Sequence, residues 1–311
     1  MLIPPLMTTS PSLATDLVPL AAPAPWLSER APVSIIILTH NEQADLPACL
    51  AAVGWSDDVH VLDSGSTDQT EAIARAHGAR VWLNPFVSFG QQRNFALDEL
   101  ALRHEWVLFL DADEVATPAF ARAVRTAVAT APAEVAGYYC CWKMMLEGRW
   151  LRRCDNFPKW QFRLLRRSRA RFTDFGHGQK EGEVQGRIDY LPEPYLHFGF
   201  SKGWTHWLAR HNRYSSLEAA ARLHQRPPLR DVLSAHASRR NPALKSWLSR
   251  LPGWPLLRFV QTYVASGGFL EGIPGFIYCT NMAYYEFLIQ IKMREIGLRA
   301  ASPPHSTGGP A

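Results

Sequence analysis

The run Trp106-Val107-Leu108-Phe109-Leu110, closed by Asp111-Ala112-Asp113, constrains the fold more tightly than any other stretch. Consecutive apolar residues bounded by charge describe a strand buried on both faces, as in a parallel sheet covered by helices. In open α/β sheets ligands bind beyond the carboxyl ends of the strands, so both carboxylates fall where a substrate sits. Side chains at i and i+2 of an extended segment point the same way, and two like charges on one face repel unless a cation or donors lie between them. A divalent metal carrying a diphosphate answers that requirement.

The preceding chain alternates strands and helices. Val33 to Leu38 is β-branched and reads as a first strand, followed by the polar loop Thr39-His40-Asn41-Glu42 and a helix from about Asp45 to Val53. Val59 to Leu62 is a second strand ending at Asp63, and Asp68 with Glu71 resembles a capping box for the next helix. Ala79 to Leu83 is a third strand and Gln91 to Arg103 a helix; Thr117-Pro118 opens another as N-cap and first-turn proline. This spacing predicts a mostly parallel sheet with crossover helices. No Gly-x-Gly-x-x-Gly follows the first strand and no Walker lysine loop is present, which argues against dinucleotide and P-loop folds.

From Gly137 to Phe200 the pattern shifts to short aromatic and basic segments with glycine turns, and from Trp204 it is helical. The expected organisation is a Pro/Ala-rich disordered leader over residues 1–30, an α/β domain over 31–200 with a donor half (31–130) and an acceptor half (131–200), a helical extension over 201–300, and a disordered tail over 301–311. No stretch has the roughly 18–20 uninterrupted apolar residues of a spanning helix; Phe269 to Ile291 is interrupted by Glu271, Pro274, Asn281 and Glu286. The five cysteines include no Cys-x-x-Cys pair, which speaks against structural zinc and fits reduced thiols in the cytoplasm. A net charge of +5 suits an anionic substrate or membrane surface.

Four segments occur in an order that resembles the family 2 glycosyltransferases: Ile35 to Glu42, Val61 to Asp68, Gly90 to Ala96 and Leu110 to Glu114. The remainder is similar, more loosely, to the lipopolysaccharide core glucosyltransferase branch, through Phe162 to Arg167, Arg171 to Asp174 and His211 to Ser216. The resemblance implies a GT-A nucleotide-sugar fold, a Mg²⁺ or Mn²⁺ cofactor, a nucleotide-sugar donor such as a UDP-hexose, and a glycan or glycolipid acceptor of the bacterial envelope. It places the protein at the cytoplasmic face of the inner membrane, in peripheral contact with anionic lipid.

Roles follow for individual residues. Asp113 is the expected metal ligand, with Asp111 nearer the ribose or sharing the ion. Asp63 would accept from the uracil imide or ribose, and Thr39, Asn41 and Glu42 would line the base and ribose pocket; a turn aspartate and an ordinary polar loop are the competing assignments. Arg93 would neutralise the donor phosphates, against the alternative of a solvated helix arginine. In the Gly-rich segment Thr173 to Glu181, Glu181 is the expected base and His177 a second metal ligand or phosphate contact, although this chain separates the His-Glu pair of related enzymes. Arg163, Arg166, Arg167, Arg169 and Arg171 read as an exposed strand face or as a site for an anionic acceptor or lipid. No motif accompanies them to suggest nucleic acid. His197, His206 and His211 read as packing or surface residues. The aromatic and basic stretch from Leu256 to Met293 fits an interfacial anchor or a core helix pair.

Three other readings compete. A haloacid dehalogenase-type phosphohydrolase also has an Asp-x-Asp after a strand, but on its first strand, whereas Asp111 follows the fourth. A nucleotidyltransferase needs a Gly-rich basic loop after the first strand, which Thr39 to Glu42 does not supply. A membrane-associated protein that binds nucleotide sugars without turnover is the non-enzymatic alternative.

Overall fold

The computed structural model describes residues 30–175, 178–224 and 227–301. The strands are β1 (Ala31–Thr39), β2 (Ser56–Asp63), β3 (Arg80–Leu83), β4 (Trp106–Asp111), β5 (Glu114–Val115), β6 (Val135–Leu146), β7 (Arg149–Trp150), β8 (Trp160–Arg166), β9 (Ala170–Phe175), β10 (Gly178–Val184) and β11 (Arg187–His197). The helices are α1 (Leu46–Ala51), α2 (Thr70–Ala76), α3 (Phe89–Glu99), α4 (Pro118–Thr130), α5 (Gly203–His224), α6 (Leu229–Val232), α7 (Ala237–Leu248), α8 (Trp254–Phe259) and α9 (Gly272–Ala301).

One sheet runs β3-β2-β1-β4-β8-β6-β11-β5. It is parallel from β3 to β4, as the alternation of strands and helices predicts; β8 then enters antiparallel and makes the sheet mixed. This is the mostly parallel α/β architecture expected from the sequence, and β6, β8 and β11 continue the same sheet. Apolar residues of β1 and β4 are buried on both faces. Val33, Ile35, Ile37, Leu108 and Leu110 pack with α1, α2 and α4, while Ile36, Val107 and Phe109 pack with α3 and Phe172 of β9. Burying such side chains supplies about 25 cal/mol per Å² of apolar surface, which is why these strands read as unbroken runs.

Local signals hold at several ends. The Thr117 hydroxyl accepts from Phe120 N–H, with Pro118 in the first turn of α4. Asp68 does not cap α2 as the capping-box reading has it. Gln69 is the N-cap, and the Asp68 carboxylate instead accepts from Thr70 and from Gln43 N–H, tying the loop after β1 to the loop after β2.

Beyond β11 the chain is helical, as expected from Trp204 onward. A π-helical turn (Val260–Ala265) and a 3₁₀ turn (Gly268–Glu271) connect α8 to α9. Among the described residues, no helix is long and apolar enough to cross a membrane. The five cysteines are buried free thiols.

Candidate active site

The site forms where β4 ends. The chain does not continue extended through Asp111-Ala112-Asp113, as the i and i+2 argument assumed; it turns at Ala112 and Asp113 before the short β5. The two aspartates therefore have different partners. Asp111 faces two arginines: Arg93 Nη2 lies 3.1 Å from Oδ1 and Arg163 Nη2 lies 2.8 Å from Oδ2. Asp113 faces His197, with Nε2 3.4 Å from Oδ2.

Strand pairing explains how His197 arrives there. The end of β11 pairs antiparallel with β5, His197 opposite Glu114, and Phe198 N–H donates to the Asp113 carbonyl at 2.8 Å. His197 was expected to be a packing or surface residue; it is instead a direct partner of the second aspartate. The sequence carried little local signal for it, because β11 (Arg187–His197) is mixed in polarity and mostly not buried, unlike the apolar β4.

Arg163 also departs from expectation. It is 2 % exposed and joins Asp111 to Glu114, whose Oε1 is 2.7 Å away, while Glu114 Oε2 accepts from Asp111 N–H at 2.9 Å. The other members of the basic cluster form no common face. Arg166 donates to the Val135 carbonyl and lies over Trp106, Arg167 donates to the Leu102 carbonyl, Arg169 to Ala133, and Arg171 pairs with Asp98.

Arg93 is neither a solvated helix residue nor open to a phosphate. It is 1 % exposed, lies beside the rings of Phe89, Phe109 and Phe172, and directs its charge at Asp111. Asp63 is likewise engaged within its own loop. Its oxygens accept from the Thr39 hydroxyl at 2.8 Å and from Gly65 and Ser66 N–H at 3.0 and 2.7 Å, which is turn chemistry. Thr39 is buried by the same bond. Asn41 has a positive φ of 55° and accepts from Thr67 N–H. Glu42 pairs with Lys202, from the loop after β11, and Asp45 accepts from Ser201 at 2.7 Å. The loop after β1 and the 198–203 segment thus come together beside Asp113.

The part of the chain that carries Asp111, Asp113, Arg93 and Arg163 also carries a family signature. Residues 34–178 match the model of glycosyl transferase family 2. These residues form a family 2 glycosyltransferase domain. Among relatives of the domain, the lipopolysaccharide core biosynthesis glycosyltransferase LpsC of Rhizobium meliloti is 25% identical over 283 residues, covering 88% of this chain and 96% of LpsC. An uncharacterised glycosyltransferase of Rickettsia bellii is 39% identical over 83 residues; the match spans 26% of this chain and only 28% of that protein. Among solved structures, TarS 1–349 of S. aureus is 17% identical, covering 88% of this chain and 92% of TarS with a TM-score of 0.41. Glucosyl-3-phosphoglycerate synthase of Mycobacterium tuberculosis is also 17% identical, covering 70% and 82% with a TM-score of 0.40.

Electrostatics separate the carboxylates of the family 2 domain. Burial would raise Asp111, but Arg163 and Arg93 overcome it and hold the carboxyl well below its usual range. Burial raises Glu114 to about 7, against the opposing pull of Arg163 and with help from Asp111. Of the acids that share Arg163, Asp111 is therefore held ionised more firmly than Glu114. Burial would lower His197, yet Asp113 outweighs it and lifts the imidazole to about 9; Asp113 is lowered in return. Burial also raises Glu42 to about 7, with Lys202 opposing.

Among the described residues no three His, Cys, Asp or Glu side chains converge on one point suitable for a metal. Asp113 and His197 form a two-ligand set. Two ligands about 2.1 Å from one divalent ion at right angles lie about 3 Å apart, so the 3.4 Å pair fits a shared cation of the Mg²⁺ or Mn²⁺ class, with phosphate oxygens and water completing the shell.

Of the acceptor-side candidates, His177 lies outside the described residues. Glu181 stands on β10, opposite Phe172 of β9, and that hairpin is pinned to α3 because Asp174 accepts from Gly90 N–H at 2.9 Å. A side chain on Gly90 would collide with Asp174, since a Cβ there falls 2.7 Å from its Oδ1. The Tyr139 hydroxyl bonds Glu181; burial and that bond push it up to about 12.

Proposed function

We propose that the protein transfers a hexose, with inversion and with a divalent metal, from a nucleotide sugar such as UDP-hexose to a lipopolysaccharide-core or lipid-linked envelope glycan. The observation that carries this reading is the Asp113–His197 pair at the end of β4. The likeness to LpsC along nearly its whole length supports the acceptor class.

The chain's own residues divide the work. Asp113 and His197 would hold the cation and, through it, the donor diphosphate. When bound, the ion supplies Lewis-acid stabilisation of the negative charge that grows on the leaving diphosphate. Arg93 and Arg163 act as positioning residues: they fix Asp111 and, with Glu114, set the turn that presents Asp113. Asn41 and Glu42 border the cleft on the donor side, where Lys202 holds Glu42 in place. Asp63 and Thr39 shape that loop from within. Glu181 would take the acceptor hydroxyl proton as the oxygen attacks the anomeric carbon, and the bond from Tyr139 holds it in place. His177 is kept as a donor-phosphate or metal contact on sequence grounds. The domain division and peripheral contact with anionic membrane belong to the same proposal.

The phosphohydrolase alternative needs Asp111 as a free nucleophile. A carboxylate gripped by two buried guanidinium groups is a poor one.

Calorimetry of UDP with and without Mn²⁺ tests the reading. Mn²⁺ should strengthen UDP binding, and Asp113→Ala should abolish the enhancement while the circular dichroism spectrum is unchanged. Independent binding of UDP and Mn²⁺ would refute it.

A further inference from the structure

The helical extension leaves an apolar face without a partner. Along α9, Ile273, Phe276, Tyr284, Phe287 and Ile291 recur at helical spacing and are each roughly half exposed or more. Leu256, Val260 and Val264, spaced by four, form a second exposed row on α8 and the π-helical turn. Between the rows, the 3₁₀ turn projects Phe269 and Leu270; Ile273 is 73% exposed and Leu256 68%. Rings of Phe259, Tyr263, Phe269 and Phe276 pack among themselves at centroid distances of 5.1–6.4 Å, so these elements form one surface. An apolar face of this extent marks a contact with something other than water.

The charges beside it say what. Arg153 and Arg149 stand against the backbone that bears the exposed tip, with Nη1 atoms 3.0 and 3.6 Å from the positions a Cβ would take on Gly267 and Gly272. Behind the tip lies a cavity of about 520 Å³ lined by Arg152, Arg153, Asn156, Phe157 and Ser266. Among the described residues, the guanidinium groups of Arg149, Arg152 and Arg153 have no carboxylate partner; Arg152 lies only over the Trp150 ring. The acid closest in sequence to this tip, Glu271, is occupied by the backbone N–H groups of Arg153 and Cys154. The cavity thus presents two guanidinium forks without carboxylate partners, beside the Asn156 amide, whose oxygen already accepts from the Ser266 hydroxyl; the forks match phosphate oxygens.

We propose that this face docks on an anionic phospholipid bilayer, with Phe269, Leu270 and Ile273 entering the acyl boundary while Arg152 and Arg153 bind a lipid phosphate in the cavity beside them. The arrangement, apolar side chains at one depth and cations at the headgroup level, is that of an interfacial helix. A second copy of this chain would meet the same arginines with arginines, so charge favours the lipid. The inference gives the peripheral contact proposed above a stated face and a stated chemical group, and it rests on that reading only in this respect.

The test is co-sedimentation of the full chain with vesicles of phosphatidylcholine alone or mixed with phosphatidylglycerol, with UDP binding measured on the same preparations. Wild-type protein should partition onto the anionic vesicles. The Arg152→Gln/Arg153→Gln variant should bind them roughly thirtyfold more weakly, for the loss of two headgroup-level cations. Ile273→Asp should weaken binding independently of that change, and both variants should keep wild-type UDP affinity. Equal wild-type binding to neutral and anionic vesicles, or no binding to either, would overturn the proposal. So would inorganic phosphate displacing the protein at the lipid's own phosphate concentration, which would mark a soluble-anion site. Sedimentation velocity showing a wild-type dimer that Ile273→Asp separates would assign the face to a second copy instead. Loss of UDP binding with vesicle binding intact would count against the donor reading alone.

Discussion

Arg163 bridges Asp111 and Glu114, its Nη2 atom 2.8 Å from one carboxylate and 2.7 Å from the other, with the guanidinium almost wholly buried. Removing one member of a buried ionic group leaves the others desolvated and unpaired. Arg163→Met should therefore cost about 3–5 kcal/mol of folding stability, because the buried Glu114 and the partly buried Asp111 lose their common partner. Urea denaturation at neutral pH measures it. A loss under about 1 kcal/mol, the range of exposed ion pairs, would show that the cluster is solvated in practice.

The 3.4 Å approach of His197 to Asp113 makes a coupling prediction. Asp113→Asn and His197→Gln should each weaken Mn²⁺-dependent UDP binding by at least about tenfold, the lower end of what disturbing a metal's surroundings costs. The double variant should lose much less than the sum of the two, because both act through one ion. Calorimetric titration of Mn²⁺ into protein and UDP measures the cycle, and strict additivity would separate the residues.

Glu181→Gln tests the base. With the isosteric amide the fold and donor site stay intact while proton removal from the acceptor is lost. Turnover at saturating acceptor should fall about 10²–10⁴-fold, with donor KM unchanged. Unaltered turnover would move the role elsewhere in the hairpin.

Glu42 gives a pH signature. Burial lifts its carboxyl from the ordinary 4.5 to about 7, with Lys202 opposing. Between those values the folded protein keeps a proton that the unfolded chain has released, so this residue's contribution to stability is greatest below pH 4.5, declines as pH rises to 7, and is flat above. Glu42→Gln removes the decline. The variant should gain stability relative to wild type between pH 5 and pH 8, by up to about 3 kcal/mol. Paired urea titrations at the two pH values measure the difference, and a constant offset would refute it.

The parallel half of the sheet was legible because a strand buried on both faces must be apolar throughout, and β1 and β4 are written that way. The polar punctuation at Asp63 and at Thr117-Pro118 was readable for the same local reason. Partnership was not readable. Arg163 looked like one of a run of surface cations; only the pairing of β8 beside β4 turns it inward to Asp111. A period-two argument aligned Asp111 with Asp113, but the chain turns between them. His197 gained its place from an antiparallel pairing with β5 that no local spacing announces.

That pairing bears on how the protein assembles. The family signature ends at residue 178, whereas His197 and Lys202 come later in the chain. A fragment stopping at the signature's edge would retain all four ordered motifs yet present Asp113 to bare solvent. The proposed Asp113–His197 pair is consequently complete only when the last strand zips alongside β6 and delivers its terminal imidazole.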